Sequence, residues 1–475
     1  VAEFTLPPAL RLLSGPLAGL ACGLLAWGVD LPTAAISTAA VTGLTAAWWV
    51  LEPIPIAAAS MVPFAAFPLL GVLDHKAVAA SYGHTLIMLL MGGFMLSTAM
   101  AASGAHKRVA VTMVRALGGG RRRLVLGFML ATAFCSMWIS NTATVLMLLP
   151  VALAVLEQDQ RRAELGVPLL LGIAWASSIG GLGTPVGTPP NVIFIGVYEE
   201  VTGVQIGFLD WMRIGIPAVL ALLPLAWWLM VRALPRGEAL HVEALGPMRR
   251  HEARVLLLFA ATALAWITRT APWGGWSRWL HAEGAGDATV AFVALLLLFV
   301  LPSGDPLRKG EGRALHSRLL TWEEARQIPW GLLLLFGGGI AIAKAFGASG
   351  LGDAIGQALA GLTALPVFAL LLVLCLGVTF LTEVTSNTAT TTLLMPVLAS
   401  AAAVGGREPA LLMVPAALSA SCAFMLPVAT APNAIVFGSG WVPMQEMARR
   451  GFVLNLIGAV VLAALCTVLL RGGLV

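Results

Sequence analysis

The chain has 475 residues, 59% of them hydrophobic and 11% charged, where an ordinary soluble domain carries roughly 25% charged residues. Its mean hydropathy is +0.91, and apolar runs of about 20 residues, each long enough to cross a bilayer as a helix, recur along it and exclude a soluble globule. The formal charge of +5 is no footprint of nucleic-acid binding, because the basic residues stand between the apolar runs and report topology.

In chain order the apolar segments fall near 12–29, 33–51, 54–73, 82–104, 124–156, 166–198, 211–231, 254–268, 288–302, 329–349, 365–400, 410–438 and 452–470. The first reads as a retained helix rather than a cleaved signal. Two segments are too long for one crossing. The run 124–156 is interrupted by Ser136, Ser140, Asn141 and Thr142, and 365–400 by Thr382, Glu383, Ser386, Asn387 and Thr388; both predict helical hairpins that enter the membrane and return. Segments 166–198 and 410–438 carry Gly, Pro, Thr and Asn in their later halves, which predicts helices unwound at mid-membrane. The expected fold is an all-α polytopic membrane protein with about 11 transmembrane helices plus two re-entrant helical hairpins.

Placing the N-terminus in the cytoplasm puts 21 of the 28 Lys and Arg residues on the inner side. They cluster at Lys107 to Arg123, at Arg161 and Arg162, between Arg232 and Arg254, between Arg308 and Arg326, and at Arg449 and Arg450. This matches the positive-inside rule. The C-terminus then lies outside, and the two hairpins open to opposite faces, the first to the cytoplasm. A bacterial plasma (inner) membrane is the expected location.

An internal repeat underlies this arrangement. At a shift of 246 residues, Gly92-Gly93 meets Gly338-Gly339, Ala102-Ser103-Gly104 meets Ala348-Ser349-Gly350, and Ser140-Asn141-Thr142-Ala143-Thr144 meets Ser386-Asn387-Thr388-Ala389-Thr390. At a shift of 242, Thr188-Pro189-Pro190-Asn191 meets Thr430-Ala431-Pro432-Asn433. The matches are rich in polar residues and Gly, unlike chance matches among Leu, Ala and Val. The topology makes the copies inverted, the architecture of secondary transporters whose site lies at the repeat interface near the midplane.

Each Ser-Asn-Thr breaks a helix, which frees N–H groups at the start of the returning half-helix, where the dipole favours an anion. The same break exposes carbonyls that, with Ser and Asn oxygens, can hold a hard cation. The segments 183–191 and 427–433 face the tips with the carbonyls of Gly187 and Ala429 and the hydroxyls of Thr188 and Thr430. No Arg, Lys or His stands near either tip in sequence, so a co-bound cation must offset a dianion at mid-membrane.

These duplicated hairpins, with Gly-Thr-Pro-Pro-Asn (187–191), Ala-Thr-Ala-Pro-Asn (429–433) and the stretch ASCAFMLPVATAPNAIV (420–436), resemble the divalent anion:sodium symporter family and its INDY-type dicarboxylate carriers. The resemblance implies a homodimeric elevator-type transporter without organic cofactor, in which sodium ions drive uptake of succinate, malate or fumarate. It implies one sodium site at Ser136, Ser140, Asn141 and Gly187, and a second at Thr382, Ser386, Asn387 and Ala429. Substrate would meet Ser140, Asn141, Thr142, Thr188, Pro190, Ser386, Asn387, Thr388 and Thr430. It divides the chain into a scaffold (1–120 and, with a cytoplasmic loop, 233–362) and a transport domain (121–232 and 363–475). A sodium-independent exchanger, a sulfate or citrate carrier, and an anion channel are the alternatives.

Several other residues carry expectations of their own. Glu383 meets Met137 at the 246 shift, and either acts in coupling or braces its hairpin by a hydrogen bond. Lys344 is expected to snorkel to the outer interface. The amphipathic segments His106 to Leu117 and Leu351 to Ala360 follow equivalent crossings, the first lying along the cytoplasmic interface. Gly347-Ala348-Ser349-Gly350 matches the GxSG of intramembrane proteases, yet no histidine follows His316 to serve as base, so it reads as close helix packing. No enzyme is expected. The five cysteines lie in apolar stretches without CxxC spacing, so neither disulfides nor a zinc site is expected.

Overall fold

The computed structural model describes residues 8–117, 119–159, 162–235, 242–304, 318–359 and 365–470. Arg161, Arg308, His316 and Ala360, named above, lie outside them. Among the described residues there is no strand, only an isolated bridge between Pro302 and Arg318.

The chain begins with an antiparallel pair, α1 (Pro8–Gly28) and α2 (Thr33–Leu51). Small residues bring their backbones together: a Cβ on Gly19 would stand 2.8 Å from the Ala40 carbonyl oxygen, and one on Gly43 2.9 Å from that of Ala18. The expected crossing 54–73 is broken into α3 (Ile56–Ala59) and α4 (Val62–Leu69). Pro63 in the first turn of α4 has no N–H to continue the ladder, and Ser60 at the break is held by side chains instead. Its hydroxyl accepts from Trp49 Nε1 at 2.9 Å, and its carbonyl accepts from the Tyr82 hydroxyl at 2.5 Å.

Helices α5 (His75–Tyr82), α6 (Thr85–Ser103) and α7 (Ala105–Leu117) follow, then the first interrupted run as α8 (Arg121–Ser136) and α9 (Asn141–Gln158). The run 166–198 becomes α10 (Arg162–Gly181) and α11 (Pro189–Thr202). After them come α12 (Phe208–Val231), α13 (Arg250–Ile267), α14 (Gly275–Trp279), α15 (Asp287–Val300) and α16 (Trp322–Ala325). The second copy repeats the order as α17 (Trp330–Ser349), α18 (Leu351–Leu359), α19 (Val367–Thr382), α20 (Asn387–Val404), α21 (Ala410–Ala420) and α22 (Ala431–Gly438), before a final α23 (Met444–Leu469).

Nine helices among the described residues are long and apolar enough to cross a membrane. Seven match expected crossings, and two, Asn141–Gln158 and Asn387–Val404, are the returning arms after the interruptions. The crossings expected near 54–73, 254–268 and 288–302 are carried by helices that are broken, more charged or shorter. Helix α10 is apolar on every side and 83% buried, as a helix at the centre of a bundle must be. Gly180 lets it lie directly on α8, since a Cβ there would stand 2.3 Å from the Ala133 carbonyl oxygen.

The repeat is visible in local geometry. Gly104 and Gly350 end α6 and α17 with φ of 78° and 74°, the left-handed turn that favours glycine. Ser103 and Ser349 accept from the N–H groups of Ala105 and Leu351 at 3.3 and 3.4 Å. The serine of the GxSG match therefore caps the next helix. Helix α7 packs on α8, where Gly127 opens room for the Val114 backbone. It is anchored by Arg108, whose Nε donates to Glu252 at 2.6 Å, while Arg249 Nε donates to the same carboxylate at 3.1 Å. Burial pushes the Glu252 carboxyl up, but the two guanidiniums outweigh it and hold it below its ordinary value.

Candidate functional site

The two interruptions are built alike. Helix α8 stops at Ser136, and Ser140 caps α9, its hydroxyl accepting from Ala143 N at 3.3 Å; α19 stops at Thr382, and Ser386 caps α20 through Ala389 N at 3.5 Å. A capping serine satisfies one of the free amides of the first turn. The first-turn positions Asn141 and Thr142, and Asn387 and Thr388, then stand where helix geometry leaves N–H groups without intrahelical partners.

Behind each tip the same contact recurs 246 residues apart. Ser136 Oγ donates to Asn141 Oδ1 at 2.5 Å, and Thr382 Oγ1 donates to Asn387 Oδ1 at 2.6 Å. Ser136 and Thr382 are fully buried, so each fixes the rotamer of an Asn whose oxygen is a hard-cation ligand by type. The helix breaks opposite are also alike. Asn191 Nδ2 donates to the Gly181 and Thr184 carbonyls at 2.9 and 2.8 Å. Asn433 Nδ2 donates to those of Ala423 and Leu426 at 3.1 and 3.0 Å. Each amide thus satisfies carbonyls freed by unwinding, the requirement that a broken helix meets in lipid. The Thr188 and Ser421 hydroxyls link the two breaks at 3.5 Å.

Both tips and both breaks open onto one cavity of about 770 Å³. Of the sequence-predicted residues, Ser140, Asn141, Thr142, Gly187, Thr188, Ser386, Asn387, Thr388, Ala429 and Thr430 line it. Ser136 and Thr382 stand behind the lining, and Pro190 does not reach the cavity: it is buried, and Pro189 forms the wall. Among the described residues, none that lines the cavity is ionisable. The site offers hydroxyls, amides, carbonyls and two helix N-termini, which can cradle an anion and a hard cation together but supply no formal positive charge.

Three features escaped the sequence. The far wall is one face of α6, including Gly93, Phe94, Ser97 and Thr98, with Gln327 to Pro329 before α17; the small and polar residues at helical spacing were the available signal. Gly181 leaves space at the first tip: a Cβ there would stand 3.0 Å from Asn141 Oδ1 and 3.1 Å from the Gly187 carbonyl oxygen. Its counterpart at the 242 shift is Ala423, so the two helix breaks are not identical at this position. Finally, Glu383 braces a neighbouring element rather than its own hairpin alone. Its carboxylate accepts from Phe424 N, Met425 N and Leu426 N at 2.7 to 3.0 Å and from Asn455 Nδ2 at 2.7 Å.

The pattern of the citrate transporter family (CitMHS) matches residues 46–414. The sodium-dependent dicarboxylate transporter SdcS of Staphylococcus aureus (strain USA300) is 38% identical over 97% of this chain and 90% of its own length. SdcS of Staphylococcus saprophyticus is 39% identical over 95% of this chain and 89% of its own. Among solved structures, the Alcanivorax borkumensis YdaH transporter superposes with a TM-score of 0.57 at 14% identity, covering 83% of this chain and 87% of that one. Neisseria gonorrhoeae MtrF gives 0.51 at 11%, covering 83% of each. At these identities the two structures speak for the fold alone. The chain is a multi-pass membrane transporter and not an enzyme.

Proposed function

We propose that this chain, which belongs to the divalent anion:sodium symporter family, is a sodium-coupled importer of C4-dicarboxylates such as succinate, malate and fumarate. The observation that carries the reading is the meeting of two Ser-Asn-Thr tips in one cavity with no ionisable side chain among its described lining residues. A dianion at such a site needs a co-bound cation, because charge at membrane depth is costly unless paired. One sodium sits at Ser136, Ser140, Asn141 and the Gly187 carbonyl, the other at Thr382, Ser386, Asn387 and the Ala429 carbonyl. Carboxylates rest against the N-termini of α9 and α20, on Asn141, Thr142, Asn387 and Thr388, with Thr188 and Thr430 beside them.

The two interrupted runs act as re-entrant hairpins in a transport domain (121–232 and 363–475), which slides as an elevator against a scaffold (1–120 and 233–362) in a homodimer. With the N-terminal end cytoplasmic in a bacterial plasma membrane, the cavity faces inward. Its scaffold wall comes from the later part of α6 and the approach to α17, both on the face where basic residues concentrate. The test is uptake of radiolabelled succinate by proteoliposomes under an inward sodium gradient, compared with potassium and with preloaded dicarboxylate. Sodium-driven accumulation is expected. Uptake that ignores sodium and requires internal dicarboxylate makes the protein an exchanger, and silence with succinate but transport of citrate or sulfate moves the substrate class.

A further inference from the structure

We propose that Lys344 draws the incoming dianion to the outer mouth of the site, and that Glu200 masks it when the site faces inward. The proposal rests on the inverted-repeat elevator reading above. Lys344 does not reach freely for the interface. Its Nζ stands 3.4 Å from Glu200 Oε1 of α11, with the lysine side chain 33% and the glutamate 21% exposed. The adjacent Glu199 faces His84, at the start of α6, at 3.8 Å. Two neighbouring carboxylates on the proposed transport domain thus each meet a basic residue of the scaffold.

The repeat gives Lys344 a second environment. At the 246 shift Gly93, Phe94, Ser97 and Thr98 become Gly339, Ile340, Ala343 and Lys344. The first four now line the open cavity. The second four belong to the closed side, where Thr392 lies against Gly339 and Ile340 against Gly196. If the two copies exchange environments when the transport domain moves, the face of α17 carrying Gly339 to Lys344 becomes the wall of the outer cavity. Lys344 then parts from Glu200 and occupies the place that Thr98 holds now.

This makes the two vestibules chemically unequal. The present cavity has no ionisable residue among its described lining, whereas the outer one gains an ammonium. A positive group in a low-dielectric cleft concentrates anions and raises their association rate by roughly 10-fold or more. Once the site turns inward, Glu200 takes up the charge, and the anion leaves through a cavity that has no basic side chain among its described lining residues to retain it. The counterparts of Glu199 and Glu200 at the 242 shift are Trp441 and Val442, so the cytoplasmic side has no equivalent latch.

The experiment measures succinate half-saturation from each side in oriented proteoliposomes at fixed sodium, with ionic strength varied by choline chloride. Lys344→Gln is expected to raise half-saturation from the outer side by about 10-fold, to flatten its salt dependence, and to leave the inner side unchanged. Lys344→Arg should preserve both wild-type behaviours, and Glu200→Gln, which removes only the inward-state partner, should leave outer half-saturation no higher than wild type. A wild-type outer value in Lys344→Gln, or an equal shift on both sides, overturns the proposal. In a variant lacking the native cysteines, Lys344→Cys is probed with a membrane-impermeant maleimide. Labelling from outside that slows when internal sodium and succinate hold the site inward upholds the elevator reading, so that unaltered kinetics then refute the role of Lys344 alone; outside labelling at a rate that ignores them, labelling only from inside, or labelling from neither side refutes the underlying reading and the proposal with it.

Discussion

Asn141 and Asn387 each serve a hydroxyl behind them and a cavity before them. Asn141→Ala and Asn387→Ala are therefore expected to abolish uptake while leaving folding and oligomeric state intact, as checked by transport and size-exclusion chromatography. Ser136→Ala and Thr382→Ala should raise the sodium concentration for half-maximal uptake more than that of succinate; an unchanged sodium dependence removes those ligands. Gly181→Ala places a methyl between Asn141 and the Gly187 carbonyl, and should raise the sodium requirement by about 10-fold, equivalent to ~1.4 kcal/mol of lost ion binding. The tips were legible in the sequence because a polar pentapeptide repeated within apolar runs has no bland explanation. Gly181 was not legible, because its meaning is a distance to residues 40 positions earlier and six later in the chain, and no local pattern encodes it.

At the scale of elements, the breaks are held by partners that differ between the copies. In the first, Thr184 Oγ1 donates to the Met137 carbonyl and Trp211 Nε1 donates to that of Leu182 at 2.9 Å. In the second, Glu383 gathers three backbone amides and Asn455. Glu383→Met, which imports the residue of the first copy, would orphan these donors at about 1–3 kcal/mol each. Lower thermal stability and loss of transport are expected; wild-type stability would show that the brace is dispensable. The sequence offered coupling or bracing for this carboxylate, and its amide partners, some 41 residues on, could be seen only in the fold.

A second elemental prediction concerns α7. The Glu252 carboxyl is held below its ordinary value, about 4.3 for a free glutamate. Its stabilising contribution is therefore fully present above that value and is lost as pH falls through the lower folded value. Glu252→Gln should lower the thermal midpoint near neutral pH, and the gap to wild type should close as pH drops below about 4. A gap that persists in acid contradicts the charge pairing. The long, uniformly apolar helices were legible from hydropathy. The split of 54–73 was only half legible: Pro63 marks it in the sequence, whereas Tyr82 and Trp49, which satisfy Ser60 at the break, reach it from other helices.

At the scale of the whole molecule, the two copies share local geometry but not surroundings. Helix α7 packs chiefly on the entering arm α8, whereas its counterpart α18 packs on the returning arm α20. On the inverted-repeat reading proposed above, a pair of copies held in one asymmetric state is what alternating access about a shared site requires. The repeat, and hence the site at its centre, could be read from the chain because duplication leaves polar matches at a constant offset. Which face is open could not, since both states obey the same sequence.

In the function proposed above, sodium and dicarboxylate travel together through the paired tips. The most direct measurement is simultaneous influx of radioactive sodium and labelled succinate into the same proteoliposomes. Two ion cradles predict a fixed ratio of at least about two sodium ions per dianion, with both fluxes lost together in Asn387→Ala. Succinate accumulating without sodium entry, or in a ratio that drifts with concentration, would contradict it.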